Sequence, residues 1–355
     1  MRNGTGLYPR VIRLAHNGAA NGRILASVVT FEGNNGIGAI HESTNSGTSF
    51  TQVGGVTDPQ SAAGQGLCCA TLFELPRQVG ALPAGTLLWA SSAGQDEPNR
   101  RMALRIWRSN DVGRTWSYLS SCAVASGTGG LWEPEFSMAA DGALVCHYAD
   151  ETDPAHSQKL AAARSYDGVH WEGRHNTVAS KLSTDRPGMP VVRRLPNGTY
   201  FMSYEICNPG GQYQCVVHYR TSADGWNWGN AAALGIRPET ADGRYFRAAP
   251  TIAWSPTPGA GADGRILLIG QRLLNRDGTP AAGSGRTILS NTRNGAGTWS
   301  AMPSPVTVPN PAVNPCQNYS SPLLPSTDGR RVLQIATDFD GTPCRAYFAT
   351  GDIPS

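Results

Sequence analysis

The chain has 355 residues, of which only 15% are charged, and its formal net charge is +3 with the basic residues scattered. The absence of a Lys/Arg block argues against nucleic acid as a partner, and no apolar run reaches the roughly 18 residues of a membrane-spanning helix. The sequence is rich in Gly (42) and Pro (25), and many short apolar runs end at Gly, Asn, Asp or Pro. This pattern predicts antiparallel β structure, in two ordinary domains or in one large all-β domain.

Strand-like runs recur along the chain in groups of three, and most groups are followed by a similar turn. In the first group the runs are RVIRL, RILASVV and GIGAIHE, and the turn is STNSGTSF (43–50). Related turns are SNDVGRTW (109–116), SYDGVHW (165–171), SADGWNW (222–228) and the longer SNTRNGAGTW (290–299). A last group, SSPLLP, RRVLQIATDF and RAYFATG, has no recognisable copy of the turn. Repetition of this kind is typical of a β-propeller.

The turns have a local physical reason, so we assign them a structural role and no chemistry. The Asp carboxylate can accept backbone N–H groups, the Gly can adopt a positive φ, and the final aromatic residue can pack between sheets. They resemble the Asp boxes of the sialidase-type propellers. We therefore predict an all-β, six-bladed β-propeller with four antiparallel strands per blade, formed by residues 1–355 as a single domain. Because that group contains enzymes of several specificities and non-catalytic binding proteins, the fold does not give the function.

Propeller topology indicates where the chemistry should lie. In each blade the start of the first strand and the end of the second strand meet on one face, and the turns described above lie on the opposite face. Polar and aromatic residues gather at the predicted strand ends, namely Arg10, Glu32, Trp132, Glu133, Asp150, Asp153, Asp185, Arg186, Glu205, Arg247 and Tyr319. Such a rim suits a sugar, and two carboxyl groups flanking a glycosidic bond can hydrolyse it.

The stretches YPRV, LWEPEF, HYADETDPAHSQKL, TDRPGMPVV and SYE resemble the exo-1,5-α-L-arabinanase family of glycoside hydrolases, over roughly residues 8–250. The resemblance implies a secreted, retaining enzyme without metal or cofactor, which releases arabinobiose from the non-reducing end of linear α-1,5-L-arabinan. It implies catalytic glutamates at Glu133, within Trp-Glu-Pro, and at Glu205, which follows a Tyr. The other rim residues are then expected to bind substrate, and the protein is expected to be a monomer.

Several assignments within the rim stay open at the sequence level. Glu133 and Glu135 would share a face of a regular strand, and we favour Glu133 because Glu135 lies deeper, beside the apolar FSM run. We take Glu133 as the nucleophile and Glu205 as the acid/base, with the reverse as the alternative. Structural roles are alternatives for the remaining candidates: carboxylate binding for Arg10, Arg186 and Arg247, turn formation for Asp150 and Asp153, and blade packing for Tyr319.

Two other functions are compatible with the same residues. A sialidase would use a tyrosine nucleophile assisted by a glutamate and an arginine clamp, and Tyr319, Glu205, Arg10 and Arg247 could take those parts. Against it, YPRV replaces the Arg-Ile-Pro signature of sialidases, and the Trp-Glu-Pro stretch has no role. The second alternative, a non-catalytic carbohydrate-binding propeller, is not excluded by any residue.

The eight cysteines form no zinc-like pattern and favour disulfides in an oxidising compartment. We expect bridges Cys207–Cys215 and Cys316–Cys344, a bridge from Cys68 or Cys69 to Cys122, and a free buried thiol at Cys146. The chain opens MRNGTGLYPR, without an apolar leader, so for an exported protein we expect the leader to have been removed from this chain.

Overall fold

The computed structural model describes residues 1, 4–208, 211–258 and 264–354, in which six antiparallel sheets hold nearly all of the regular structure. The first three sheets each contain four strands in chain order. These strands are β1 (Leu7–Arg13), β2 (Ile24–Glu32), β3 (Asn35–Ser43) and β4 (Thr51–Thr57); β5 (Leu67–Glu74), β6 (Leu87–Ala93), β7 (Ala103–Ser109) and β8 (Ser117–Val124); β9 (Leu131–Met138), β10 (Leu144–Asp150), β11 (Lys159–Ser165) and β12 (Glu172–Val178).

The other three sheets depart from this regular pattern. Their strands are β13 (Arg186–Arg194), β14 (Tyr200–Cys207), β15 (Val216–Ser222), β16 (Tyr245–Arg247) and β19 (Arg272–Leu274); β17 (Thr251–Pro256), β18 (Gly264–Ile269), β20 (Thr287–Asn291) and β21 (Ser300–Pro303); β22 (Leu323–Pro325), β23 (Arg331–Phe339) and β24 (Cys344–Asp352). Two short 3₁₀ helices, Gly18–Ala20 and Pro59–Ser61, lie in connections. No helix in the described part of the chain is long and apolar enough to cross a membrane.

The innermost strands form a closed ring. β1, β5, β9, β13, β17 and β22 each contact the next in that order, and β22 contacts β1. The predicted all-β, six-bladed propeller is therefore confirmed, with one correction. The fourth sheet has five strands and the sixth has three. The sixth is the group that lacks the turn motif, and there the amide of Gly6 donates to the carbonyl of Cys344 on β24.

The turn at 109–116 shows why this motif recurs between third and fourth strands. Ser109 Oγ accepts the buried amide of Gly113, and Asp111 Oδ1 accepts the amides of Arg114 and Thr115. Gly113 has a φ of +81°, which favours glycine. Trp116 packs against the hydrophobic cluster between the first and second sheets. Each turn thus meets its own backbone requirements and also fills the space between two blades.

All eight cysteines are paired. The predicted bridges Cys207–Cys215 and Cys316–Cys344 are present, together with Cys68–Cys69 and Cys122–Cys146. The predictions of a free thiol at Cys146 and of a bridge from Cys68 or Cys69 to Cys122 are therefore wrong. Cys122 on β8 and Cys146 on β10 belong to neighbouring sheets that pack face to face within one hydrophobic cluster, which brings their Cα atoms to 6.4 Å.

Candidate active site

Four of the innermost strands begin with a break in register. These breaks fall near the start of β1, β5, β9 and β13. At each one a non-glycine residue has a positive φ: 47° at Tyr8, 60° at Cys69, 59° at Glu133 and 58° at Met189. Such bulges redirect side chains and cost roughly 1 kcal/mol or more each, and they concentrate at functional sites. The channel mouth at the starts of the first strands is therefore the strained end of this propeller.

Glu133 occupies one of these bulges, and its carboxyl group is held by the next blade. Its Oε2 accepts the amide of Met189, and its own amide donates to Ser92 Oγ at 3.2 Å. A Cβ atom on Gly188 would lie 3.3 Å from Oε2, so glycine leaves room for the carboxyl group. Burial raises the pKa of Glu133 to about 8; the charge of Glu205 adds to the increase, while the Met189 amide opposes it.

Glu205 lies at the end of β14, directly opposite Gly188 in the β13–β14 ladder. Its Oε2 accepts the amide of Ala249 at 2.6 Å. Burial raises the pKa of Glu205 to about 7, against the effect of the Ala249 amide and the charge of Arg247. Because the Glu133 carboxyl group abuts Gly188 and opposed residues in a ladder are roughly 5 Å apart, the structure brings the two glutamates together.

Two tyrosines form a wall next to this pair. The hydroxyls of Tyr8 and Tyr319 lie 3.8 and 3.6 Å from Met189 Sδ, and their ring centroids are 6.1 Å apart. Burial and the charges of the two glutamates raise the pKa of Tyr319 well above its usual range. Arg10 lies over the Tyr8 ring at 4.2 Å and donates to Ser320 Oγ at 2.9 Å. With 5% of its surface exposed, Arg10 supports the tyrosine wall rather than contacting sugar as predicted.

A polar network on the other side of Glu133 joins Trp132 and Arg186 to Glu151. Glu151 accepts Arg186 Nη2 and the Gly130 amide, and its carboxylate makes a hydrogen bond with Trp132. Arg100 lies 3.5 Å from the same carboxylate. The negative charge of Glu151 also raises the pKa of Glu133. Sequence reasoning missed Glu151 and chose its neighbours in ADETDP, although Glu151 is the first residue after β10 and so lies nearest the rim.

Of the remaining predicted substrate-binding residues, Arg247 lies near the pair, since its charge lowers the pKa of Glu205. Asp150 is completely buried and accepts Arg174 Nη2, and Asp153 forms an ion pair with Lys159. Asp185, 1% exposed, accepts hydrogen bonds from Ser180 and Asn208. Sugar contact by Asp150 or Asp185 is therefore corrected to a structural role, because both carboxylates are buried and protein donors already bind them. Glu32 is exposed at the end of β2.

Glu135 is the carboxylate that the sequence analysis weighed against Glu133 as the catalytic residue. In the structure it is bound to other side chains of the protein. It is 3% exposed, accepts Thr71 Oγ1 at 3.0 Å and forms an ion pair with Arg193 at 2.5 Å. Because β9 is bulged at Glu133, the two glutamates have different surroundings despite their spacing.

Replacing Glu135 with alanine is expected to lower the free energy of unfolding by about 2 to 3 kcal/mol, because Arg193 loses its buried partner. The loss stays below that of a fully buried pair since 38% of the Arg193 side chain is exposed. Chemical denaturation measures it, with exposed Glu172→Ala on β12 as the matched control. The kcat of folded Glu135→Ala should remain within about tenfold. Unchanged stability with a collapse of kcat would place Glu135 in the chemistry instead.

Comparisons with known proteins support the fold and the resemblance predicted from the sequence. No family model matches the chain, and no curated protein matches it. Among solved structures, an α-L-arabinanase of Penicillium chrysogenum complexed with arabinobiose is 28% identical, with a TM-score of 0.81 over 98% of this chain and 93% of that one. A GH93 α-L-arabinofuranosidase of Fusarium graminearum, also with arabinobiose, is 24% identical with a TM-score of 0.79 over 98% and 93%. A Hadza microbial sialidase is 14% identical, with a TM-score of 0.60 over 93% and 63%, and shares the fold alone. The resemblance predicted from the sequence is confirmed.

Proposed function

We infer that the chain is a glycoside hydrolase that acts on arabinan, in a retaining and exo-acting manner, and releases arabinobiose from the non-reducing end of linear α-1,5-L-arabinan. The observation that carries this proposal is the pair of desolvated glutamates, Glu133 and Glu205, at the strained mouth of the propeller. The overall likeness to an arabinanase that binds arabinobiose supports the choice of polysaccharide.

The surroundings of the two carboxyl groups favour a division of roles opposite to the one expected from the sequence. Glu133 has the negative charge of Glu151 near it in addition to that of Glu205, so a single proton shared by the pair is favoured on Glu133. Glu205, with Arg247 nearby, ionises first. We therefore propose Glu133 as the acid/base and Glu205 as the nucleophile. The Met189 and Ala249 amides orient the two groups.

The proposed reaction has two steps. Glu133 first donates its proton to the oxygen of the leaving sugar while Glu205 attacks the anomeric carbon, which gives a glycosyl-enzyme ester. The ionised Glu133 then takes a proton from water, the water oxygen attacks the anomeric carbon, and Glu205 is released as a carboxylate. Two inversions give net retention.

A product profile on linear α-1,5-arabinan tests the proposed action. We expect arabinobiose as the dominant product from the earliest time points, measured by anion-exchange chromatography, with retention visible by NMR of the newly formed anomeric centre. A ladder of oligomers would contradict exo action, and an inverted anomer would contradict the two-step route. A Glu133→Gln, Glu205→Gln double variant is the control for contaminating activity.

The same assay separates the two alternative functions. Tyr319 borders both glutamates, as a sialidase nucleophile would, and the charge of Arg247 acts on Glu205. Arg10, the other predicted clamp residue, is buried against Tyr8 and Ser320, so only one of the two predicted arginines is placed to bind a sialic acid carboxylate. Release of sialic acid from a fluorogenic glycoside, or the absence of any reducing sugar from arabinan, would overturn the proposed function.

Secretion as a monomer is part of the proposal. The four disulfides support an oxidising compartment, since such bonds persist outside the reducing cytosol. Mass spectrometry of unreduced, alkylated protein from the producing cells is expected to show no free thiol in the extracellular fraction. Size-exclusion chromatography with light scattering is expected to give the mass of one chain.

A further inference from the structure

A cavity lies at the mouth of the channel opposite the glutamate pair. Its volume is about 710 Å³, within the range that accommodates a small-molecule ligand. It is lined by residues from the far ends of the innermost strands and the segments after them, among them Arg13, Arg77, Met138, Arg194, Trp254 and Pro325. We call it the far-mouth cavity. The proposed hydrolysis takes place at the other mouth and does not require a ligand in the far-mouth cavity.

The far-mouth cavity is strongly basic. It is lined by Arg10, Arg13, Arg77, Arg193 and Arg194 against the carboxylates of Glu74 and Glu135. Both carboxylates are occupied: Glu74 accepts the amides of Ala15 and His16, and Glu135 is bound to Arg193. Net positive charge is therefore left over around the cavity, where it favours an anion.

Three of the arginines have no acidic partner. Within the described ranges, no carboxylate lies within ion-pair distance of Arg13, Arg77 or Arg194. Arg13 makes only long contacts to carbonyl oxygens, at 3.4 and 3.5 Å, and Arg77 donates to the Ala139 carbonyl. In the floor, the buried Nε of Arg10 has no hydrogen-bond partner. Planar guanidinium groups of this kind match carboxylates in a bidentate geometry.

The walls between the arginines are aromatic. Phe73 and Trp254 line the cavity and are only partly buried, and the ring of Phe136 packs 6.0 Å from that of Phe73. An aromatic face offers area to the apolar face of a sugar ring, which a small inorganic anion would not use. The combination of aromatic walls and guanidinium groups that lack a carboxylate partner thus fits a ligand that has both rings and carboxylates.

We propose that the far-mouth cavity binds an acidic saccharide, a short uronate oligomer, with its carboxylates on Arg77, Arg194 and Arg13 and a sugar ring against Trp254. The cavity would be a non-catalytic binding site for charged polysaccharide on the face opposite the hydrolytic pair. The proposal rests on side chains other than the catalytic glutamates, so binding there is independent of whether Glu133 and Glu205 hydrolyse arabinan.

Isothermal titration of the intact protein with trigalacturonic acid tests the proposal. We expect one site per chain, and an affinity that falls at least about tenfold in both Arg77→Ala and Arg194→Ala, since each removes a charge-assisted contact. Arg286→Ala, an exposed arginine outside the cavity, is the matched control and should bind normally. Trp254→Ala should weaken the saccharide further. Thermal unfolding establishes that each variant is folded.

Further titrations distinguish a saccharide-binding site from the hydrolytic site and from a general anion site. Glu205→Gln should bind trigalacturonic acid as the parent chain does, and arabinotriose should not compete for the site. Citrate binding as tight as that of the saccharide, with no effect of Trp254→Ala, would reduce the cavity to a general anion site and overturn the proposal. The proposal also fails if trigalacturonic acid gives no heat at millimolar concentration, or if its binding survives both arginine substitutions.

Discussion

Glu205→Ala is expected to lower kcat on an aryl α-L-arabinobioside by at least about a thousandfold, and sodium azide is expected to restore turnover with an arabinobiosyl azide of inverted configuration. Removing the nucleophile leaves an open space at the end of β14 next to Gly188, where azide can reach the anomeric carbon from the face that Glu205 would have used. Glu133→Ala should also lose activity on arabinan. With an aryl leaving group that needs no protonation, however, Glu133→Ala should still form the glycosyl-enzyme on Glu205. Azide should then attack that intermediate and give the product of retained configuration.

Controls must separate chemistry from folding. Glu133 and Glu205 each accept one backbone amide from the following blade, so alanine at either position leaves a backbone donor without its acceptor. Glutamine variants retain an acceptor oxygen, so they should be equally inactive, and at pH 4.5 they should unfold at temperatures close to that of the parent chain. Glu172→Ala, on the outer strand β12, should keep full activity. An exchange of the two azide configurations would reverse the roles, and losses below tenfold in both variants would remove the pair from the reaction.

The propeller could be predicted because its repeating signal is local. Ser109, Asp111 and Gly113 satisfy backbone groups within a few residues of themselves, so the pattern in the sequence reports directly on the turn. Antiparallel topology then places the start of each first strand and the end of each second strand on one face. That is sufficient to bring Glu133 and Glu205 to a common mouth without any knowledge of distances.

Features that depend on neighbouring blades were beyond the sequence. The positive φ of Glu133 follows from a bulge fixed by packing against β10 and β13, and strict alternation therefore failed in LWEPEF. The Cys122–Cys146 bridge likewise requires knowledge of which faces of two sheets meet. The sequence also does not show which polar residues beside the predicted rim are buried. Asp150, which is completely buried, was therefore favoured over the adjacent Glu151, which binds Arg186.

The pH dependence of kcat/KM is expected to be a bell with its acid limb near pH 7 and its alkaline limb near pH 8. Glu205, whose pKa is raised to about 7, must be ionised to attack, and Glu133, whose pKa is raised to about 8, must be protonated to act as the acid. Outside the two limbs the rate should fall about tenfold per pH unit, and the limbs belong to the coupled pair rather than to either group alone. Initial rates between pH 5 and 10 at constant ionic strength measure the profile.

Glu151→Gln should move the alkaline limb to lower pH. The charge of Glu151 raises the pKa of Glu133, and its removal also leaves the charge of Arg186 without a carboxylate partner, which acts in the same direction. Both changes stabilise the ionised form of Glu133, so the acid is lost earlier as pH rises. Glu172→Gln removes one negative charge on the outer strand of the blade and should leave both limbs in place. A limb that stays at its original pH in Glu151→Gln would show that Glu151 does not act on Glu133.

The same pKa shifts have a consequence for stability that does not depend on catalysis. A carboxyl group whose pKa rises on folding binds its proton more tightly in the folded chain, so the free energy of unfolding decreases as pH rises from the ordinary glutamate value of 4.5 to about 8. Glu133→Gln cannot ionise and escapes this loss. Its Tm should therefore exceed that of the parent chain at pH 8, and the difference should shrink toward pH 4.5. If Glu133→Gln and the parent chain had equal Tm values at both pH 4.5 and pH 8, the pKa of Glu133 would not be raised by folding. The assignment of the shared proton to Glu133, on which its acid/base role depends, would then be wrong.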